Sequence, residues 1–78
     1  MNEAILYRGQ DITIDVYMKI EHVVTLIAEA EQVVFDQALM VFAKTRTYRN
    51  IINTESLMWS ESAEFIFDEY QRECLSND

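Results

Sequence analysis

Seventy-eight residues with one glycine and no proline make a single small domain with almost nothing to break a helix, so a mostly helical fold is expected. Fourteen acidic against six basic side chains leave a net charge of −8, which argues against a general nucleic-acid binder, because phosphate contacts need clustered Lys and Arg. Half the residues are apolar, more than so short a chain readily hides, and the surplus favours a homodimer or a partner surface.

The single cysteine, Cys74, cannot form an intramolecular disulfide and has no metal-ligand spacing around it, which fits a reducing cytoplasm. The start Met1-Asn2-Glu3-Ala4 has no basic region followed by an apolar run, and no stretch approaches the roughly 20 apolar residues that span a bilayer. Secretion and membrane insertion are not expected.

Residues 1–14 form an arm outside the helical pattern. Arg8-Gly9-Gln10 sits between Ala4-Ile5-Leu6-Tyr7 and the alternating Asp11-Ile12-Thr13-Ile14-Asp15 as the turn of a short strand or hairpin would. An isolated hairpin is marginal in water, so the arm packs on the helices, pairs with another chain, or frays.

Residues 15–75 carry the helical domain. From Asp15, placed to cap the first turn, Val16, Ile20, Val23, Val24 and Ile27 recur at helical intervals, opposite Glu21, Thr25 and Glu29. Met18 and Leu26 fall off this stripe and need another contact. A second, short helix is expected after Asp36, with Phe35 stapled to Met40 and Ala38, Leu39 and Phe42 facing inward, ending near Lys44 or Thr45. A brief third element around Tyr48, Ile51 and Ile52 is closed by Asn53-Thr54-Glu55-Ser56. The last helix is expected to start at a capping Ser60, with Glu61 and Glu64 at its positive dipole end. Its inward stripe is Ala63, Ile66, Phe67, Tyr70 and Cys74, with Asp68 and Glu69 able to reach Arg72 and Phe65 off the stripe. Residues 76–78 form a frayed tail. The fold class is thus all-α, a small bundle of three to four helices with an N-terminal arm.

From about Val16 to Glu73 the chain resembles a family of small bacterial proteins catalogued as a domain of unknown function, number thirty-seven ninety-one. The positions that carry the likeness are Ala38-Leu39-Met40-Val41-Phe42, then Met58-Trp59-Ser60-Glu61-Ser62, then Phe65-Ile66-Phe67-Asp68-Glu69. Trp59 stands where the family tends to have His and Met58 where it has Leu, so no role of that histidine carries over. The resemblance implies a small cytoplasmic protein of the kind often encoded beside toxin-like proteins, including ones similar to ADP-ribosyltransferases, and hence an antitoxin-like partner.

Catalytic equipment is sparse. His22, the only histidine, has no nucleophile or carboxylate converging on it in sequence and reads as a surface or boundary residue. Cys74 reads as a small buried hydrophobe rather than a reactive thiol. No metal or other cofactor is expected, and no enzyme activity.

Two sets of residues remain as candidate binding sites. Trp59, Phe65, Tyr48 and Tyr7 are the aromatics least explained by one core and are candidate partner contacts, with Trp59 also suited to be a lid on the core. Lys44, Arg46 and Arg49 hold half of the basic residues; a helix-turn-helix reading puts Arg46, Thr47, Arg49 and Asn50 at the front of a recognition helix, whereas the plainer reading has the three cations offset the second helix's C-terminal dipole and the acidic surface. The leading expectation is a non-enzymatic interaction module that binds and neutralises a cognate toxin-like protein or associates with itself as a homo-oligomer. The alternative is a small dimeric DNA-binding regulator using Lys44 to Arg49.

Overall fold

In a computed structural model of the chain, residues 4–76 are described. A two-residue strand β1 (Leu6–Tyr7) turns into β2 (Gln10–Asp11), followed by α1 (Thr13–Glu31), α2 (Phe35–Phe42) and α3 (Arg46–Ile52). Two 3-10 turns, Thr54–Ser56 and Met58–Ser60, then lead into α4 (Ala63–Ser76). The fold is an all-α bundle of four helices with a small N-terminal hairpin.

The hydrophobic period of α1 organises the rest. Val16, Ile20, Val23, Val24 and Ile27 are all buried, and they meet Ala38 and Phe42 of α2, Ile51 of α3, and Ala63, Ile66 and Tyr70 of α4 in one core. Helices α1 and α2 pack against each other and are joined by Gln32–Val34, where Gln32 adopts a left-handed conformation and the Val33 N–H bonds back to the Ala28 carbonyl. Helix α4 lies along α1 in the same direction. Lys19, early in α1, donates to the Glu61 carbonyl just ahead of α4, and Glu31, at the end of α1, accepts from the Tyr70 hydroxyl at 2.9 Å.

Several boundaries differ from the sequence expectation. Helix α1 starts at Thr13 rather than Asp15, because the Asp11 carboxylate accepts from the Thr13 N–H at 3.0 Å and its hydroxyl at 2.6 Å and so serves the first turn from outside. The arm therefore ends at Ile12, which is buried. Helix α2 starts at Phe35, ahead of Asp36, and ends at Phe42. The Phe35–Met40 staple does not form: both are exposed, since residues five apart in a helix point about 140° away from each other.

The last helix is capped by Ser62, whose hydroxyl oxygen accepts from the Phe65 N–H at 3.0 Å. Ser60 instead closes a 3-10 turn, donating its hydroxyl to the Leu57 carbonyl at 2.7 Å. Cys74 is exposed, not buried, because Tyr70 is the last residue of α4 to reach the core. Arg72 pairs with Asp68 at 3.1 Å and with Glu69 at 4.0 Å, as their spacing requires. Ser76 belongs to α4, while the remainder of the expected tail, residues 77–78, and the first three residues of the arm lie outside the described residues. Among the described residues no helix is long and apolar enough to cross a membrane.

Candidate functional site

The hairpin brings two of the four candidate aromatics together. Arg8 and Gly9 both take positive φ, 53° and 82°, the geometry that matches a tight turn to the twist of its strands. Tyr7, at the end of β1, then sets its ring edge-on against Trp59 with centroids 5.6 Å apart. The Trp59 indole N–H donates to the Thr54 carbonyl at 3.0 Å, and the Thr54 hydroxyl donates to the Leu6 carbonyl at 2.9 Å. Arm and 3-10 turns therefore cover each other, and both rings are half-buried against the core. The other two aromatics lie elsewhere. Tyr48 packs its ring edge-on against Phe42 at 5.8 Å, and Phe65 stands 43% exposed on the outside of α4.

Trp59 also lines an open groove of about 460 Å³ with Asp15, Met18, Lys19, His22 and Ser60. The presence of Asp, His and Ser in one groove invites comparison with a nucleophilic relay, which requires the three to be hydrogen-bonded in sequence. The Ser60 hydroxyl is instead directed to the Leu57 carbonyl, and among the described residues no hydrogen bond joins Asp15, His22 and Ser60. His22 is exposed, as its place on α1 implied.

Lys44, Arg46 and Arg49 are all exposed, but the front of α3 is already engaged. Glu73 reaches across from α4 and accepts from the Arg46 N–H at 2.8 Å, the Thr47 N–H at 3.0 Å and the Thr47 hydroxyl at 2.8 Å. The Thr45 hydroxyl oxygen accepts from the next free N–H, that of Tyr48, at 3.0 Å. Partial burial alone would raise the Glu73 carboxyl; the N–H groups of Arg46 and Thr47, the Thr47 hydroxyl and the Arg46 charge outweigh it and hold the group below the usual carboxylate range. A carboxylate thus fills the end of α3 that a helix-turn-helix protein would turn toward phosphate. Glu73 lies 26 and 27 residues from its partners, and no local motif marks it.

The largest exposed apolar side chains on α1 are Ile14 at 67%, Met18 at 62% and Tyr17 at 53%. Of these, the hydrophobic period singles out Met18 as off the core stripe; Ile14 joins the helix only because α1 starts at Thr13, two residues before Asp15, and Tyr17 lies on the outward face beside it. Leu26, the other residue off the stripe, is partly buried against the core. A second exposed apolar group, Val34, Met40 and Val41, lies on and just before α2.

At the far end of the bundle, burial, the bond to Glu31 and the nearby Cys74 push the Tyr70 phenol upward, so it stays protonated and donating. Among the described residues no group of three or more His, Cys, Asp or Glu is placed to hold a metal ion. No family model matches the chain, and no match is found among curated proteins or solved structures.

Proposed function

We propose that this chain is a non-enzymatic protein-interaction module, in the antitoxin-like role that the family resemblance implies, which binds a cognate protein and blocks it. The observation that carries the reading is the set of large apolar side chains held outward on a rigid helix, Ile14, Tyr17 and Met18, each more than half exposed. Scattered exposed hydrophobes need no explanation, but three at helical spacing make a surface that a partner can cover. Ser60 and Trp59 spend their polar side-chain atoms on main-chain groups, and Glu73 holds the Arg46 and Thr47 N–H groups together with the Thr47 hydroxyl.

Self-association in the absence of the partner has a separate exposed apolar group to draw on, Val34, Met40 and Val41 on and just before α2. DNA reading through Lys44, Arg46 and Arg49 has only their exposure in its favour, with the Glu73 carboxylate at the front of α3 opposing it. The test is co-expression with the product of the neighbouring gene. Co-purification of the two chains and relief of that product's toxicity are the expected results; a chain that neither captures nor neutralises it is not its antitoxin.

A further inference from the structure

The outward face of α1 is divided along its length. Ile14, Tyr17 and Met18 occupy its first half, spaced so that they lie beside one another on the helix surface. Glu21 follows one turn beyond Tyr17 and Met18, and Thr25 and Glu29 continue the same face toward the C-terminus. Among the described residues neither glutamate pairs with a Lys or Arg. Lys19, the nearest cation on the helix, lines the groove beside Met18 with its amine committed to the Glu61 carbonyl just ahead of α4. The face is therefore an apolar anchor region continuous with uncompensated negative charge.

That arrangement distinguishes between occupants. A second copy of this chain would bring another net −8, and a two-fold contact sets the same patch against itself. Parallel helices then face Glu21 with Glu21, and antiparallel ones crowd Glu21 onto the apolar anchors; neither supplies a cation. Three side chains also fall short of the ~800 Å² per partner that a stable dimer commonly buries. A short helix with apolar residues on one side and Lys or Arg beside them meets both halves of the face. We propose that the outward face of α1 is a docking site for a basic amphipathic segment of a partner polypeptide, an inference that rests on the interaction-module reading and names the surface it uses. Ile14, Tyr17 and Met18 are the anchors, and Glu21 and Glu29 fix the orientation and speed the encounter.

Trp59 provides the readout, because it lines one groove with Met18 and is the only tryptophan. The probe is a synthetic Leu/Lys peptide of about 14 residues, four helical turns, without aromatic residues, and its control is the same peptide with Glu for Lys. Titration of the full chain should give a saturable change in Trp59 fluorescence with the Lys peptide that weakens with added salt, and none with the Glu peptide. The double variant Ile14→Ser/Met18→Ser should bind at least about tenfold more weakly. Both positions are exposed, so its circular dichroism should match the parent's.

No saturable change, equal response to the Glu peptide, or unaltered binding by the double variant overturns the proposal. So does a concentration-dependent dimer in light scattering that the double variant abolishes, since a second copy would then own the face. Capture of the neighbouring gene product by a chain that ignores the Lys peptide would overturn this assignment of the surface while leaving the interaction-module reading in place.

Discussion

Helix α1 and the stretch from Thr45 to Ser62 are of similar length and are held by different forces. Helix α1 is fixed by burial: Val16, Val23, Val24 and Ile27 are fully enclosed, and each such side chain contributes about 1.5–3 kcal/mol relative to an exposed one. Between Thr45 and Ser62 only Thr47 and Ile51 are buried. That stretch is shaped instead by side chains bonded to backbone: Thr45, Asn53, Ser56, Trp59 and Ser60 each satisfy a main-chain group, at a net contribution of about 0.5–1.5 kcal/mol each. Packing sets where the first region lies. Local polar bonds set how the second turns, and Glu73 ties its front end to α4.

The largest expected effect comes from breaking the packed region. Phe42 is fully buried and takes ring edges from both Tyr48 and Tyr70, each at 5.8 Å, so it joins α2 to α3 and α4. Phe42→Ala should cost about 3–5 kcal/mol. A chain of this length has about 4–12 kcal/mol of total stability, so the substitution removes about a quarter of it or more, and urea unfolding should show a large fall in the midpoint. A loss under about 1 kcal/mol would mean that the three helices are not joined through this ring.

The next test concerns the tie between the regions. Glu73→Ala removes the acceptor for two N–H groups and a hydroxyl at the front of α3 and should cost about 1–2 kcal/mol, as loss of a helix cap does. Because the Glu73 carboxyl is held below its ordinary value of 4.5, the unfolded chain takes up the proton more readily. Its stabilisation is fully present above that ordinary value and is lost as pH falls through the lower, folded one. Glu73→Gln should therefore be less stable than the parent near neutrality and should show a shallower loss of melting temperature on acidification, followed by circular dichroism from about pH 6 to pH 3. An unchanged acid profile would assign the acid sensitivity elsewhere, with Asp11 next, because its carboxyl is held low by the hydroxyl and N–H of Thr13.

A smaller effect locates the start of α4. Ser62→Ala should cost about 1 kcal/mol, since Ser62 accepts from the Phe65 N–H. Ser60→Ala should cost less than half as much, because Ser60 serves only an exposed 3-10 turn. Thermal melts of the two variants side by side decide it, and a reversed order would put the cap back at Ser60.

The same contrast explains what could be read from the sequence. The core stripe of α1, the inward Ala38 and Phe42, the brief α3 and a turn within Arg8-Gly9-Gln10 are local patterns carried by period or turn chemistry, although Gln10 belongs to β2 rather than to the turn. Ser60 and Ser62 fit a helix start equally well in sequence, since a serine followed by acidic residues caps from either place in Ser60-Glu61-Ser62; the Met58–Ser60 turn, closed by the Ser60 N–H on Leu57 and the Glu61 N–H on Met58, consumes the first. The α4 period carries Cys74 inward one turn beyond Tyr70, because a period does not show where the opposing core ends. Glu73 could not be found at all, since its partners are remote in sequence and nothing about a glutamate near a C-terminus marks it as a cap for another helix. The candidate aromatics were legible as bulky side chains needing contacts, but their separation into the Tyr7–Trp59 pair, Tyr48 on Phe42 and the exposed Phe65 depends on tertiary packing.

The smallest effect sharpens the comparison from the side of strain. Gln32 ends α1 at φ 60° and Leu57 separates the two 3-10 turns at φ 63°, and a residue with a Cβ pays about 1–2 kcal/mol for that left-handed conformation. Gln32 is exposed and contributes little beyond a long bond from its amide to the Glu29 carbonyl at 3.2 Å. Gln32→Gly should therefore raise stability by about 0.5–1 kcal/mol, the relieved strain exceeding the entropy that glycine adds to the unfolded chain. Leu57 is 43% exposed, so more than half of its surface is covered, and losing that contact offsets about 1 kcal/mol. Leu57→Gly should leave the melting temperature nearly unchanged. Equal gains at both positions would show that the Leu57 side chain does nothing for the turns around it and that backbone and polar bonds alone shape the Thr45–Ser62 stretch.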